Sequence, residues 1–253
     1  MKIVRFSYGR KIMYGVIDGK SVKVMSSTPF RSIKLTEESY PFDNIRLLAP
    51  CLPSKIIALG VNYRSHAQEM NSNLPKNPLI FLKPPTTVIG PEDKIVYPPS
   101  SHQVDYEGEL GVVIRKKAKG IAKEQAKDYI LGYTCVNDVT ARDLQKSDGQ
   151  WTRSKGFDTF APIGPCIETE LDDSSVDIET YLNDRLVQKG NTRDLVFGVP
   201  ELVSFVSHVM TLLPGDIIAT GTPAGVGPMQ PGDTVEIKIK GLGSLRNYVV
   251  RQS

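Results

Sequence analysis

Asp105, Glu107 and Glu109 stand at alternate positions in the run from Val104 to Ile114. The right half of that run, Leu110-Gly111-Val112-Val113-Ile114, is apolar and β-branched and reads as a buried strand. Side chains alternate faces along a strand, so the three carboxylates project the same way. Like charges so placed repel, and a carboxylate entering a core is costly unless it is paired or bound to a metal. A hard divalent cation such as Mg²⁺ relieves both problems, because it takes oxygen ligands in near-octahedral geometry. The alternative is an exposed strand end with solvated acids.

Other residues could join that chemistry. Asp138 follows a second apolar run, Ile130 to Asn137, where it suits a third metal ligand or the N-cap of a following helical turn. Gln145 lies two helical turns beyond Asp138 and so reaches the same cavity. His66 and Glu69, three apart in a segment of helical character, share a face. A carboxylate beside a histidine raises its proton affinity and makes it a usable general base; the alternative is a surface helix with an incidental pair. Lys155, in an aromatic, turn-rich loop from Trp151 to Pro165, could hold a substrate carboxylate. Lys83, beside Pro84 and Pro85, reads as a solvated lysine, and Asp143 as pairing with Arg142 or solvent. The stretch from Thr220 to Gly227 offers backbone N–H groups and hydroxyls to an anion. It is neither a Walker loop nor a dinucleotide fingerprint.

The elements that must position these groups are short strands and turns, as expected from 21 glycines and 18 prolines. Residues 1–25 read as an antiparallel meander with a turn at Asp18-Gly19. Residues 26–50 are polar and irregular. Lys55 to Leu59 reads as the first core strand, Lys123 to Tyr129 and Pro200 to Leu213 as helices, and Asp177 to Leu186 as a strand pair turning at Asn183-Asp184. The chain of 253 residues divides into a small N-terminal β domain, 1–50, and a main domain, 51–253. A net charge of +3 argues against nucleic acid or a membrane surface as partner. No apolar run approaches the roughly 20 residues of a membrane span, and the N-terminus has no apolar signal segment. The three cysteines fit no zinc spacing and read as reduced thiols of a cytoplasmic protein.

Taken in order, these residues resemble the fumarylacetoacetate hydrolase family from about Lys55 to Val250. The resemblance rests on Gly60-Val61-Asn62-Tyr63 with His66 and Glu69; Asp105-Tyr106-Glu107-Gly108-Glu109-Leu110; Gly132-Tyr133-Thr134 with Asn137-Asp138 and Ala141 to Gln145; Lys155-Gly156-Phe157-Asp158; Pro214-Gly215-Asp216; and Thr220-Gly221-Thr222-Pro223 with Gly225-Val226-Gly227. Each feature is weak alone, whereas the ordered set is specific. It implies a mostly β fold with some α, a mixed β-sandwich roll with the small N-terminal β domain, and a homodimer. It implies Mg²⁺, or Mn²⁺ or Ca²⁺, on Glu107, Glu109 and Asp138, with Asp105 outside the ligand set. It implies catalytic roles for His66, Glu69 and Lys155, and substrate contacts from Tyr63, Gln145, Lys155 and Thr222. The activity so implied is hydrolytic C–C cleavage of an acylpyruvate-type 3-oxo acid through a metal-stabilised enolate. The same site suits isomerisation or decarboxylation of a dicarboxylic 2-oxo acid. A third possibility is a metal- or metabolite-binding module without turnover.

Overall fold

The computed structural model describes residues 1–252. The fold is mostly β, with mixed parallel and antiparallel pairing, as expected. A 12-stranded sheet, a five-stranded sheet and a three-stranded sheet contain all the strands among the described residues. Strand Gly108–Ile114 runs through the middle of the large sheet and is buried along its whole length. It pairs antiparallel with Ile130–Asn137 on one side and with Ile217–Ala219 on the other. Ile217–Ala219 in turn lies parallel to Ile56–Leu59, the expected first core strand. An apolar core fills the space between this sheet, the five-stranded sheet and helix Val199–Val209, with Leu110, Val112, Val203, Val206 and Ile237 among its members.

The N-terminal meander forms as expected from Lys2–Tyr8, Lys11–Asp18 and Ser21–Met25. It has a small core of its own, Val4, Phe6, Val22 and Val24, which Cys166 joins. It also continues the large sheet, through Lys2 opposite Glu168. Residues 26–50 are not irregular: Leu35–Pro41 and Arg46–Leu48 are strands that pair with the meander. Lys123–Tyr129 winds as a 3₁₀ helix. Helix Val199–Val209 stops short of Leu213, because the backbone of Leu212 turns away to exchange hydrogen bonds with Ala118. The Asn183-Asp184 turn is present, with φ of 49° and 63°, the left-handed values of a tight hairpin. The loop expected from Trp151 to Pro165 is instead a one-turn helix, Thr152–Lys155, followed by the start of strand Ala161–Glu168. All three cysteines are free and buried. No helix among the described residues is long and apolar enough to cross a membrane.

Asn62 joins the parts that surround the site. Its side-chain amide donates to the carbonyls of Thr220 (2.7 Å) and Phe197 (3.1 Å), and its carbonyl oxygen accepts from Phe197 N (2.8 Å). The side chain is buried, so Asn62→Ala leaves three backbone groups without partners. The expected cost is about 3 kcal/mol, measured as a lowered urea midpoint at unchanged m-value.

Candidate metal centre and active site

The acidic run is not one strand with three carboxylates on one face. It breaks at Glu107. Val104–Tyr106 belongs to the three-stranded sheet, with Asp105 opposite Thr140 and Pro228, whereas Gly108–Ile114 belongs to the large sheet. The break is held by hydrogen bonds from Glu107 N to Asn137 Oδ1 and from Gly108 N to Gln188 Oε1, both 3.0 Å. Only glycine fits at 108, where a Cβ would lie 2.2 Å from Thr180 Oγ1. The period-two expectation fails because the chain changes sheets between the carboxylates. Asp105 is turned to Arg142, whose Nε donates to it at 2.8 Å. Glu107 and Glu109 meet Asp138 instead, at the end of the neighbouring strand.

Glu107, Glu109 and Asp138 each present an oxygen within 4.8 Å of the others, and all three are buried. Asp138 is not an N-cap: residues Thr140–Ala141 form a short strand, and the next helix, Arg142–Asp148, begins after it. Three cations surround the carboxylates. Lys155 Nζ donates to Glu107 Oε2 (2.9 Å) and Asp138 Oδ2 (2.7 Å) and lies over the Phe81 ring, 5.0 Å from its centroid. Lys83 Nζ donates to Asp138 Oδ1 (2.5 Å) and Val139 O (3.0 Å). The Arg142 guanidinium bonds Asp105, Glu107 and, through Nη1, Gln145 Oε1 (2.6 Å). Lys83 is therefore fully buried rather than solvated. Arg142 faces the centre rather than Asp143, which accepts from Ser101 Oγ (2.6 Å) and His102 N (2.8 Å). The signal that points to both cations is charge balance, since buried acids need counterions.

Burial raises the proton affinity of both Glu107 and Glu109, but the outcomes diverge. At Glu107 the Lys155 and Arg142 charges outweigh burial and hold the carboxyl well below the usual range. At Glu109 burial dominates, Asp138 and Glu107 add repulsion, and the carboxyl is pushed well above it. Burial favours neutral Lys155, yet Asp138 and Glu107 outweigh it and keep the ammonium charged. Glu109 Oε2 accepts from Gly221 N at 2.8 Å, while its Oε1 is buried with no hydrogen-bond partner. With all four acids of the centre ionised, Asp105, Glu107, Glu109 and Asp138 exceed Lys83, Arg142 and Lys155 by one charge. An all-oxygen donor set, one orphaned carboxylate oxygen and an excess negative charge together fit a hard divalent cation. Such an ion would also reverse the local charge and favour an anionic ligand.

Glu107 opens onto a cleft of about 180 Å³ walled also by His66, Phe81, Arg142, Gln145, Trp151 and Lys155, among others, whereas Glu109 and Asp138 are fully buried and are not part of its wall. A larger hollow of about 500 Å³ between Tyr97, His102 and Arg251 contains none of the three carboxylates. His66 lies on the short helix Arg64–Glu69, buried, with Nδ1 3.2 Å from Glu69 Oε2. Glu69 Oε1 accepts from Gly225 N at 2.9 Å. Gly225 has φ of +100°, and a Cβ there would lie 2.4 Å from Val187 O, so only glycine turns its N–H toward Glu69. The glycine-rich loop thus directs amides at the protein's own carboxylates, Glu69 and Glu109.

Gln145 reaches the cleft through its bond to Arg142, not as part of a helix running from Asp138. Tyr63 and Thr222 lie outside the cleft walls. Tyr63 packs in the main core, fully buried, with its hydroxyl unpartnered. Thr222 Oγ1 donates to Gly108 O and accepts from Gln188 Nε2, both at 2.9 Å. Gln188, which no sequence pattern singles out, so ties the strand break at Gly108 to the glycine-rich loop.

A family model described as fumarylacetoacetate (FAA) hydrolase C-terminal matches residues 55–250, and one described as Rv2993c-like, N-terminal matches residues 1–50. The solved structure of 5-carboxymethyl-2-hydroxymuconate delta-isomerase from Mycobacterium smegmatis superposes with a TM-score of 0.94 at 44% identity, covering 100% of both chains. Maleylpyruvate hydrolase from Sphingobium sp. SYK-6, solved in complex with manganese (II) ion and pyruvate, gives 0.83 at 34% identity, again over 100% of both chains. The mitochondrial oxaloacetate tautomerase Fahd2a of Rattus norvegicus is 42% identical over 222 residues, 83% of this chain and 71% of the rat protein. With the family model spanning most of the chain and relatives of this identity over its length, the protein belongs to the fumarylacetoacetate hydrolase family.

Proposed function

We propose that the chain is a divalent-metal-dependent enzyme of small 2-oxo acids, with Glu107, Glu109 and Asp138 as ligands and His66 as the proton-transfer residue. Its reaction in this reading is hydrolytic C–C cleavage of an acylpyruvate-type 3-oxo acid. The observation that carries the reading is convergence: three buried carboxylates cluster at one end of a cleft whose wall includes one of them, Glu107, together with His66, an imidazole paired to its own carboxylate. Mg²⁺, Mn²⁺ or Ca²⁺ on those carboxylates supplies Lewis-acid polarisation of a substrate oxygen. A carboxylate can only accept, so Glu69 takes the Nδ1–H of His66 and leaves Nε2 as the basic nitrogen. Nε2 then removes a proton from water for attack on the distal carbonyl. Lys155 and Gln145, both in the cleft wall, receive the substrate carboxylate, while Phe81 and Trp151 narrow the space and exclude bulk water. Tyr63 and Thr222 support the site through packing and through Gly108. The manganese and pyruvate bound by the Sphingobium hydrolase support both the ion class and the acid class. The homodimer, the cytoplasmic location and the division at residue 50 remain part of this proposal.

A second reading is favoured by the isomerase and tautomerase among the relatives at 44% and 42% identity, above the hydrolase at 34%. It is proton transfer, or decarboxylation, on a dicarboxylic 2-oxo acid. It uses the same base and needs no activated water. The deciding experiment follows the ultraviolet absorbance of acetylpyruvate and of oxaloacetate, with Mn²⁺ and with EDTA. Loss of acetylpyruvate that EDTA abolishes is the expected result. Metal-dependent enol–keto exchange or CO₂ release from oxaloacetate, without acetylpyruvate loss, moves the assignment to the second reading. No turnover of either substrate with Mn²⁺ bound excludes the hydrolase and leaves an isomerase of another dicarboxylic 2-oxo acid and a binding module to be separated.

A further inference from the structure

Lys83 is the last residue of strand Ile80–Lys83 and is followed by Pro84 and Pro85. Its side chain is entirely inaccessible and is absent from the cleft wall, where Lys155 stands. The two ammonium groups take different oxygens of one carboxylate. Lys83 holds Asp138 Oδ1 at 2.5 Å from the protein side, and Lys155 meets Oδ2 at 2.7 Å from the cleft side. Lys83 is itself anchored by Val139 O at 3.0 Å, so the ammonium cannot follow the carboxylate if it rotates. A buried carboxylate with one oxygen pinned has only the other to present. That other oxygen, Oδ2, shares the Lys155 ammonium with Glu107 Oε2 and therefore faces the carboxylate trio.

We infer that Lys83 is a positioning residue of the metal centre: it fixes the rotation of Asp138 so that Oδ2 is offered to the cation, and it never touches substrate. The inference rests on the metal reading above. Partners of this kind orient ligands, and their loss typically costs about 10–100-fold in metal affinity. A lysine whose role is only to neutralise a buried acid would affect the fold and leave the aim of Oδ2 unchanged.

The test is a double-mutant cycle on Mn²⁺ binding, read by electron paramagnetic resonance of the free ion. It uses the full chain as wild type, Lys83→Met, Asp138→Asn and the double variant. Lys83→Met is expected to weaken Mn²⁺ binding about 10–100-fold. In the Asp138→Asn background, the same substitution is expected to change it less than about threefold, because no carboxylate remains to be aimed. Equal affinity of wild type and Lys83→Met overturns the inference, as does an equal loss in both backgrounds. Wild type that does not bind Mn²⁺ overturns the metal reading itself, a distinct result. If Lys83→Met does not fold, Lys83→Gln is measured on the same two backgrounds by the same criteria. If neither folds, Lys83 serves the fold itself and the positioning role is overturned.

Discussion

His66→Ala is expected to lower turnover by about 10²–10⁴-fold, the usual contribution of a positioned general base, while Mn²⁺ affinity stays within about twofold. The imidazole is held by Glu69, and Glu69 by the Gly225 amide, so the base is oriented from the loop that also supplies Gly221 N to Glu109. His66 makes no hydrogen bond to Glu107, Glu109 or Asp138, so in this reading its loss leaves the proposed ligands in place and binding and turnover are expected to separate. Glu69→Gln tests the orientation. Its amide can present N–H to Nδ1 and reverse the tautomer that leaves Nε2 basic. The expected signature is a fall in kcat with KM little changed. Steady-state rates paired with a metal titration measure both variants. If His66→Ala turns over like wild type, the proton is carried by another group and the proposed role is wrong.

Glu109→Gln has an expected effect of opposite sign on stability and on metal binding. Glu109 is fully buried, one of its oxygens has no partner, and Asp138 and Glu107 repel its charge. An amide keeps an oxygen for Gly221 N and replaces the orphaned oxygen with a donor beside two carboxylates. The metal-free variant is therefore expected to melt at or above the wild-type temperature. The same change removes a charged ligand, and Mn²⁺ affinity is expected to fall at least about 100-fold, beyond the usual loss from an outer partner. Thermal melts in EDTA and in Mn²⁺ read both effects. A metal-free variant that melts well below wild type would show that Glu109 is paired in a way its contacts do not reveal.

The direction of the Glu109 shift also sets a pH dependence for the metal-free protein. An unfolded glutamate ionises near about 4.3. Above that pH, and up to its raised folded value, folded Glu109 keeps a proton that the unfolded chain has released. Its contribution to stability is thus fully present below about pH 4.3 and is lost as pH rises. The slope is at most about 1.4 kcal/mol per pH unit. Glu107 acts with the opposite sign: held low mainly by Lys155 and Arg142 against burial, it loses its contribution as pH falls. The two windows meet near the unfolded value, so urea denaturation in EDTA from pH 5 to 8 isolates Glu109. Wild type is expected to lose stability over that range relative to Glu109→Gln. Parallel profiles would mean that Glu109 is already ionised in the folded chain.

Local pattern carried much of this protein. Continuous apolar runs marked Gly108–Ile114 and Ile130–Asn137 as buried strands, and placed Glu109 and Asp138 on or beside them. The three-residue spacing of His66 and Glu69 put them on one helical face, because helix geometry is set by the backbone. These features depend on residues near one another in the chain. The change of sheet at Glu107 did not follow from spacing, since it depends on Asn137 and Gln188, 30 and 80 residues away. Which cations face the acids was equally hidden. Lys83 and Lys155 lie 55 and 17 residues from Asp138, and their roles differ only because one approaches from the core and the other from the cleft. The sequence by itself determined the carboxylates and the dyad, whereas only the tertiary structure decided their counterions, because charge compensation in a buried site depends on distance in space and not along the chain.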